Sequence, residues 1–191
     1  MSWRLFLAAP VPDELRATLA RWARETAGAD RGWRCIAPGS IHLTLRFYGD
    51  TEPARVPDLA ARGRELARAH APLSLDVAGW GAFPGPARPR VLWVGLAGQV
   101  EELRALAAAA EQDARTLGFE PEQRPFRAHL TVARVARRGE RVRLPGAPDA
   151  GAPGFGALRI EELVLYRSHL EPDGARYEAL ERFPLGAARG A

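Results

Sequence analysis

The chain has 191 residues, 47% hydrophobic and 26% charged, with a formal charge of +4; these values fit one globular domain and exclude a disordered chain. Cys35 is the only cysteine, which excludes a disulfide framework and every multi-cysteine zinc or iron–sulfur site. No uncharged run exceeds 11 residues, against the ~20 that span a bilayer, and no signal-type apolar stretch follows Met1-Ser2-Trp3-Arg4, so the expected location is the cytoplasm, with no membrane partner.

Trp3 to Ala8 alternates apolar and polar residues and predicts a strand. Pro12 supplies a good first helical position, and Leu15, Leu19, Trp22 and Ala23 keep helical spacing until Gly28. A short segment around Trp33 to Ile36 and a Pro38-Gly39 turn lead into a strand from Ile41 to Tyr48, closed by Gly49-Asp50. A helix from about Pro53 to His70 and a strand from Leu73 to Trp80 complete the first half. The Gly- and Pro-rich stretch from Gly79 to Pro89 reads as a connector.

The second half repeats the plan. Arg90 to Ala97 predicts a strand, Gln99 to Leu117 a helix, and His129 to Arg134 another strand. Leu144 to Gly156 carries seven Pro or Gly in 13 residues and reads as a loop. Leu158 to His169 and Ala175 to Leu185 then read as two strands joined through Pro172-Asp173-Gly174, a hairpin signal. Displacing the chain against itself by 87 residues places Leu5 on Leu92, Pro38 on Pro125, and His42-Leu43-Thr44 on His129-Leu130-Thr131. A matched Pro-x-x-x-His-Leu-Thr inside matched strand contexts marks an internal duplication. The expected domain is single and two-lobed over residues 1–191, with halves of about 1–80 and 90–186 sharing one cleft.

All 27 basic residues are arginine, which beside abundant Ala, Gly and Pro reflects coding bias. Their placement is more telling. Seven arginines (124, 127, 134, 137, 138, 141 and 143) stand against Glu140 alone, a local balance of +6. Guanidinium forks match phosphate oxygens, so the stripe is either a track for a phosphate-bearing partner or a solvated basic face.

Side chains alternate along a strand, so His42 and Thr44 share one face and Leu43 and Leu45 the other; His129 and Thr131 do the same opposite Leu130 and Val132. The leucines and valine anchor a core while the histidines and threonines face a cleft. In-line cleavage of a phosphodiester needs a base on the attacking oxygen and an acid on the leaving oxygen, and two imidazoles supply them near neutral pH. Threonine hydroxyls donate to the non-bridging oxygens. Arg46 shares the face of His42 and Thr44 by parity and is a phosphate candidate, with a solvated strand end as the alternative. No third metal ligand stands at suitable spacing, and the expectation is neither metal nor cofactor. His70 at a helix end, His169 beside Ser168 and Cys35 read as structural. Gly-x-Ser-x-Gly, phosphate-loop and dinucleotide motifs are missing from the sequence.

The stretches HLTL at 42–45 and HLTV at 129–132 resemble the two signatures of the two-histidine phosphoesterase superfamily. With PGSIHLTLRFYGD, AFPGPARPRVLWVGL, RPFRAHLTVAR and LYRSHLEPDGARYEAL, the chain is most similar to bacterial RNA 2′,3′-cyclic phosphodiesterases, the 2′-5′ RNA ligase family. The resemblance runs from about Trp3 to Leu185. It implies an α+β fold of two pseudo-symmetric lobes, with antiparallel sheets flanking a central cleft and helices outside. It implies opening of an RNA 2′,3′-cyclic phosphate to a 2′-phosphate, with 2′-5′ ligation in some members.

Carried over, His42 protonates the leaving 3′ oxygen, His129 activates water, and Thr44 and Thr131 hold phosphate oxygens. Arg134 also matches a family arginine. Strict alternation points it away from the face of His129, so its use needs a bulge or a strand end. The implied partner is an RNA with a cyclic phosphate end or a related nucleotide, bound by a monomer. Two alternatives stay open: a module that binds an RNA end without turnover, and a phosphodiesterase for a small cyclic nucleotide or a 2′-5′ oligonucleotide.

Overall fold

A computed structural model describes residues 1–28, 30–137, 141–144, 154–171 and 174–186. In chain order the elements are β1 (Trp3–Pro10), α1 (Asp13–Ala27), β2 (Trp33–Cys35), β3 (His42–Thr51), α2 (Val56–Ala69), β4 (Leu73–Phe83), β5 (Val91–Gly98), α3 (Val100–Thr116), β6 (His129–Val135), β7 (Gly154–Ile160), β8 (Glu162–Glu171) and β9 (Gly174–Pro184). Short 3-10 turns at Pro38–Ser40 and Pro53–Arg55 precede β3 and α2. Among the described residues no helix is long and apolar enough to cross a membrane.

The strands build two antiparallel sheets, one ordered β3-β1-β8-β9 and the other β2-β6-β5-β4-β7. These sheets do not coincide with the two halves of the sequence. The displacement of 87 residues maps β1 onto β5, β3 onto β6 and β4 onto β8. Yet β4 pairs with β5, and β8, with β9 beyond it, pairs with β1, so each half lends strands from its end to the other half's sheet. The helices cross over as well: α1 packs on β2, β6 and β7, α3 on β3, and α2 on β8 and β9.

β4 runs on to Phe83, into the predicted 79–89 connector, and β7 begins at Gly154, inside the predicted 144–156 loop; two further boundaries move for a physical reason. Leu158 to His169 does not form one strand: the chain leaves one sheet at Ile160 and enters the other at Glu162. Apolar residues continue across the break because both strands are buried against the core. Nor does Gly49 close β3; it adopts φ +71° and carries the strand on to Thr51. The predicted 144–156 loop falls mostly on residues 145–153, and the hairpin tip on residues 172 and 173, outside the described residues. The pairing of β8 with β9 on either side of that tip is antiparallel from Glu171–Gly174 to Glu162–Pro184.

Both sheets turn one face to the helices. Leu5, Leu7, Leu43 and Leu165 of the first sheet and Leu92, Val94, Leu130 and Leu158 of the second are at most 2% exposed there. Each such leucine or valine contributes about 1.5–3 kcal/mol of burial. At Gly63 on α2 a Cβ would sit 2.6 Å from the Phe183 ring of β9, so glycine lets this helix lie directly on the sheet. The other faces meet across a cleft, and β3 touches β6 there although the two belong to different sheets.

Candidate active site

The cleft has a volume of about 300 Å³. His42, Thr44, Phe47, Arg4, Phe6, Ser168 and Tyr177 line it from the first sheet, and His129, Thr131, Arg134 and Ile36 from the second. Both His-x-Thr pairs therefore face one space, each placed by a strand whose alternate leucines or valine are locked in the core. Neither threonine hydroxyl has a hydrogen-bond partner among the described residues, so both are available to a ligand.

Each imidazole is oriented in the same local way. His42 Nδ1–H donates to the carbonyl of Ser40 at 2.9 Å, and His129 Nδ1–H to that of Arg127 at 2.7 Å. A carbonyl only accepts, so the proton of each neutral ring sits on Nδ1 and Nε2 is the nitrogen left for chemistry. Ser40 adds a tie that Arg127, its counterpart, lacks: its hydroxyl donates to the Ala175 carbonyl of β9 at 3.0 Å.

The surroundings of the two rings differ. The His42 ring lies 4.8 Å from Phe6, 4.9 Å edge-on from Tyr177 and 6.3 Å from Tyr166. His129 meets one aromatic ring, Phe83, edge-on at 4.9 Å. Burial pushes the His42 imidazole from 6.5 down to about 4, and the charges of Arg134 and His129 press the same way against the Ser40 bond. His129 is lowered too, again by burial first and by Arg134 after it, with the Arg127 carbonyl opposing.

The two arginine candidates separate at a pair of β-bulges. In β3, Ala8 pairs with Thr44 and Leu7 with Arg46, so Leu45 is an extra residue. In β6, Trp93 pairs with Thr131 and Leu92 with Ala133, so Val132 is the extra residue, at the equivalent position of the repeat. A bulge shifts the alternation by one. Arg46 accordingly leaves the face of His42 and Thr44. It is 7% exposed, sets Nε 2.8 Å from Glu111 Oε2 on α3, and donates to the carbonyls of Phe47 and Glu120. The parity expectation for Arg46 thus does not hold, and the residue is part of the scaffold. The same shift turns Arg134 into the cleft, where its counterpart in the first half is Phe47.

Of the arginine stripe only Arg134 lines the cleft. Arg124, Arg127, Arg137, Arg141 and Arg143 are exposed, and Arg138 lies outside the described residues. His70 Nδ1–H donates to the Leu66 carbonyl at the end of α2, and His169 Nε2 meets Glu178 at 2.7 Å between β8 and β9. Cys35 is half-buried, and burial raises its thiol pKa. Sequence reasoning missed Tyr177, Phe6, Phe47, Arg4 and Ser40. Only Ser40 left a trace, as the residue two before the first histidine.

The model of the LigT-like phosphoesterase family matches the chain twice, over residues 9–93 and 94–177. An RNA 2′,3′-cyclic phosphodiesterase of Thermus thermophilus is 34% identical to it, with 98% of this chain and 92% of the relative covered. The enzyme of that name from Escherichia coli is 31% identical, covering 95% and 96%. A solved Thermus thermophilus structure superposes with a TM-score of 0.82 at 32% identity over 96% of this chain and 98% of the other. Escherichia coli LigT complexed with 3′-AMP gives 0.79 at 26% identity, covering 97% and 99%.

Proposed function

The chain belongs to the LigT-like phosphoesterase family of two-histidine phosphoesterases, and from that premise we propose that it opens terminal 2′,3′-cyclic phosphates of RNA to 2′-phosphates without a metal. One observation carries this reading: two imidazoles in one cleft, each with Nδ1 occupied by its own backbone and Nε2 free. That arrangement suits an acid and a base on opposite sides of one phosphorus. Among the described residues no three His, Cys, Asp or Glu side chains come together as a metal site. The Escherichia coli relative complexed with 3′-AMP supports a nucleotide as the kind of ligand bound.

In the proposed reaction His129 Nε2 takes a proton from water as the water oxygen bonds to phosphorus. The bond from phosphorus to O3′ breaks, and His42 Nε2 gives its proton to O3′. The products are a 3′-hydroxyl and a 2′-phosphomonoester. Thr44, Thr131 and Arg134 hold the non-bridging oxygens, where charge must be stabilised through the displacement. An RNA 5′-hydroxyl in place of water would give a 2′-5′ linkage by the same two transfers. Every group invoked comes from one chain, so a monomer suffices.

The test is incubation of the purified protein with an RNA ending in a 2′,3′-cyclic phosphate, with EDTA present, and separation of the products. The expected product is the 2′-phosphate at an undiminished rate. Loss of activity in EDTA with recovery on a divalent ion would overturn the metal-free scheme. Binding of the RNA end with no turnover would favour a pure binding module.

A further inference from the structure

Arg34 and Arg134 stand directly opposite each other where β2 pairs with β6. Directly opposed residues share one face of a sheet, so the two guanidinium groups occupy one patch. That face is the cleft side: Ile36, of the same parity as Arg34, lines the cleft, whereas Trp33 is buried in the core. Like charges set opposite each other cost stability, and other arginines of this protein have a carboxylate partner, as Arg46 has Glu111 and Arg64 has Glu181. Neither Arg34 nor Arg134 has an ion pair or an aromatic partner among the described residues. Arg34 is exposed beside the cleft rather than among its lining residues, and the other arginine that lines the cleft with Arg134, Arg4, lies 4.7 Å over the Phe47 ring.

A cyclic phosphate carries one negative charge, which Arg134 alone offsets. Arg34 is a cation beyond that need. An RNA end brings a second anion, the phosphodiester on the 5′ side of the terminal ribose, whereas a nucleoside cyclic phosphate has none there. We propose that Arg34, beside Arg134, forms a second anion subsite that takes this 5′ phosphate. The proposal rests on the cyclic-phosphate reading above and deepens it, since the subsite makes the chain distinguish an RNA end from a free nucleoside cyclic phosphate.

The test compares wild type and Arg34→Ala on adenosine 2′,3′-cyclic phosphate, on the same compound bearing a 5′-phosphate, and on a dinucleotide with the same cyclic end. Wild type should favour the two substrates that carry the extra phosphate. Arg34→Ala should lower kcat/KM on those two by about tenfold, the worth of one charge-assisted hydrogen bond, and leave the first within about twofold. Arg34→Lys should recover part of the loss, keeping the charge without the fork. The melting temperature of Arg34→Ala should equal or exceed that of wild type, because a repulsion is removed. Equal losses on all three substrates would overturn the subsite, as would a wild type indifferent to the 5′ phosphate. A wild type inactive on all three would instead overturn the phosphodiesterase reading, and the subsite with it.

Discussion

His42 and His129 have nearly the same local sequence and the same Nδ1 tether, so their roles must be separated by what surrounds them. Three aromatic rings box His42, and burial lowers it to about 4; one ring meets His129, which burial also lowers. The pair titrates as a unit, and the proposed reaction uses the singly protonated form with its proton on His42, although burial disfavours charge on that ring. With both imidazoles below their ordinary 6.5, that form dominates the free enzyme only on the acid side of 6.5. The profile of kcat/KM against pH should therefore peak below 6.5 and fall as the remaining proton leaves. A maximum at pH 7.5 or above would contradict it. The kcat profile should lie at higher pH, because a bound phosphodiester anion favours both protonated rings. Alanine at either histidine should cost about 10²–10⁴-fold in rate, and alanine at Thr44 or Thr131 about 10–100-fold. A nitrophenyl phosphodiester, whose leaving group needs no proton, should largely rescue His42→Ala and leave His129→Ala slow. The reverse pattern would exchange the two roles.

At the level of the strand, the paired bulges at Leu45 and Val132 decide which arginine enters the cleft. Period-two alternation reads His42, Thr44, His129 and Thr131 correctly as far as each bulge and fails beyond it. Nothing in Leu45 or Val132 as residues announces a bulge, because an extra apolar residue looks like any other strand position. That is why Arg46 reads as a cleft residue in sequence and lies against Glu111 in the fold. The two arginines should part in experiment. Arg46→Ala leaves Glu111 without its partner and should cost about 3 kcal/mol in urea denaturation, with kcat of the folded protein almost unchanged. Arg134→Ala should melt like wild type and lose about 10²-fold in kcat/KM. Full stability with lost turnover in Arg46→Ala would return that residue to the site.

Across the whole molecule, the duplication is visible in sequence, but the allegiance of each strand is not. Periodicity says that residues 73–80 form a strand; it carries no signal that β4 joins β5 and β6 rather than β1 and β3. The box around His42 was hidden for the same reason, since Tyr177 reaches it from β9, 135 residues away in the chain. The exchange of β4 and β8 has a measurable result. Residues 1–86 alone would hold β4 without its partner β5, and residues 87–191 would hold β8 without β1. Either segment expressed alone should stay unfolded, and the two expressed together should assemble and recover activity. A single segment with a cooperative melt would show that the strand exchange is dispensable.

The same exchange bears on ancestry. Two copies of one repeat, exchanging the equivalent strands β4 and β8, have the topology that fusing a strand-swapped homodimer end to end would produce. In such an ancestor the two histidines would have been interchangeable, and a substrate could have lain across them in either sense. Arg134 where the first half has Phe47, and Tyr177 against His42 alone, remove that equivalence. They give the cleft a polarity, so that the two ends of a bound ligand would meet different walls.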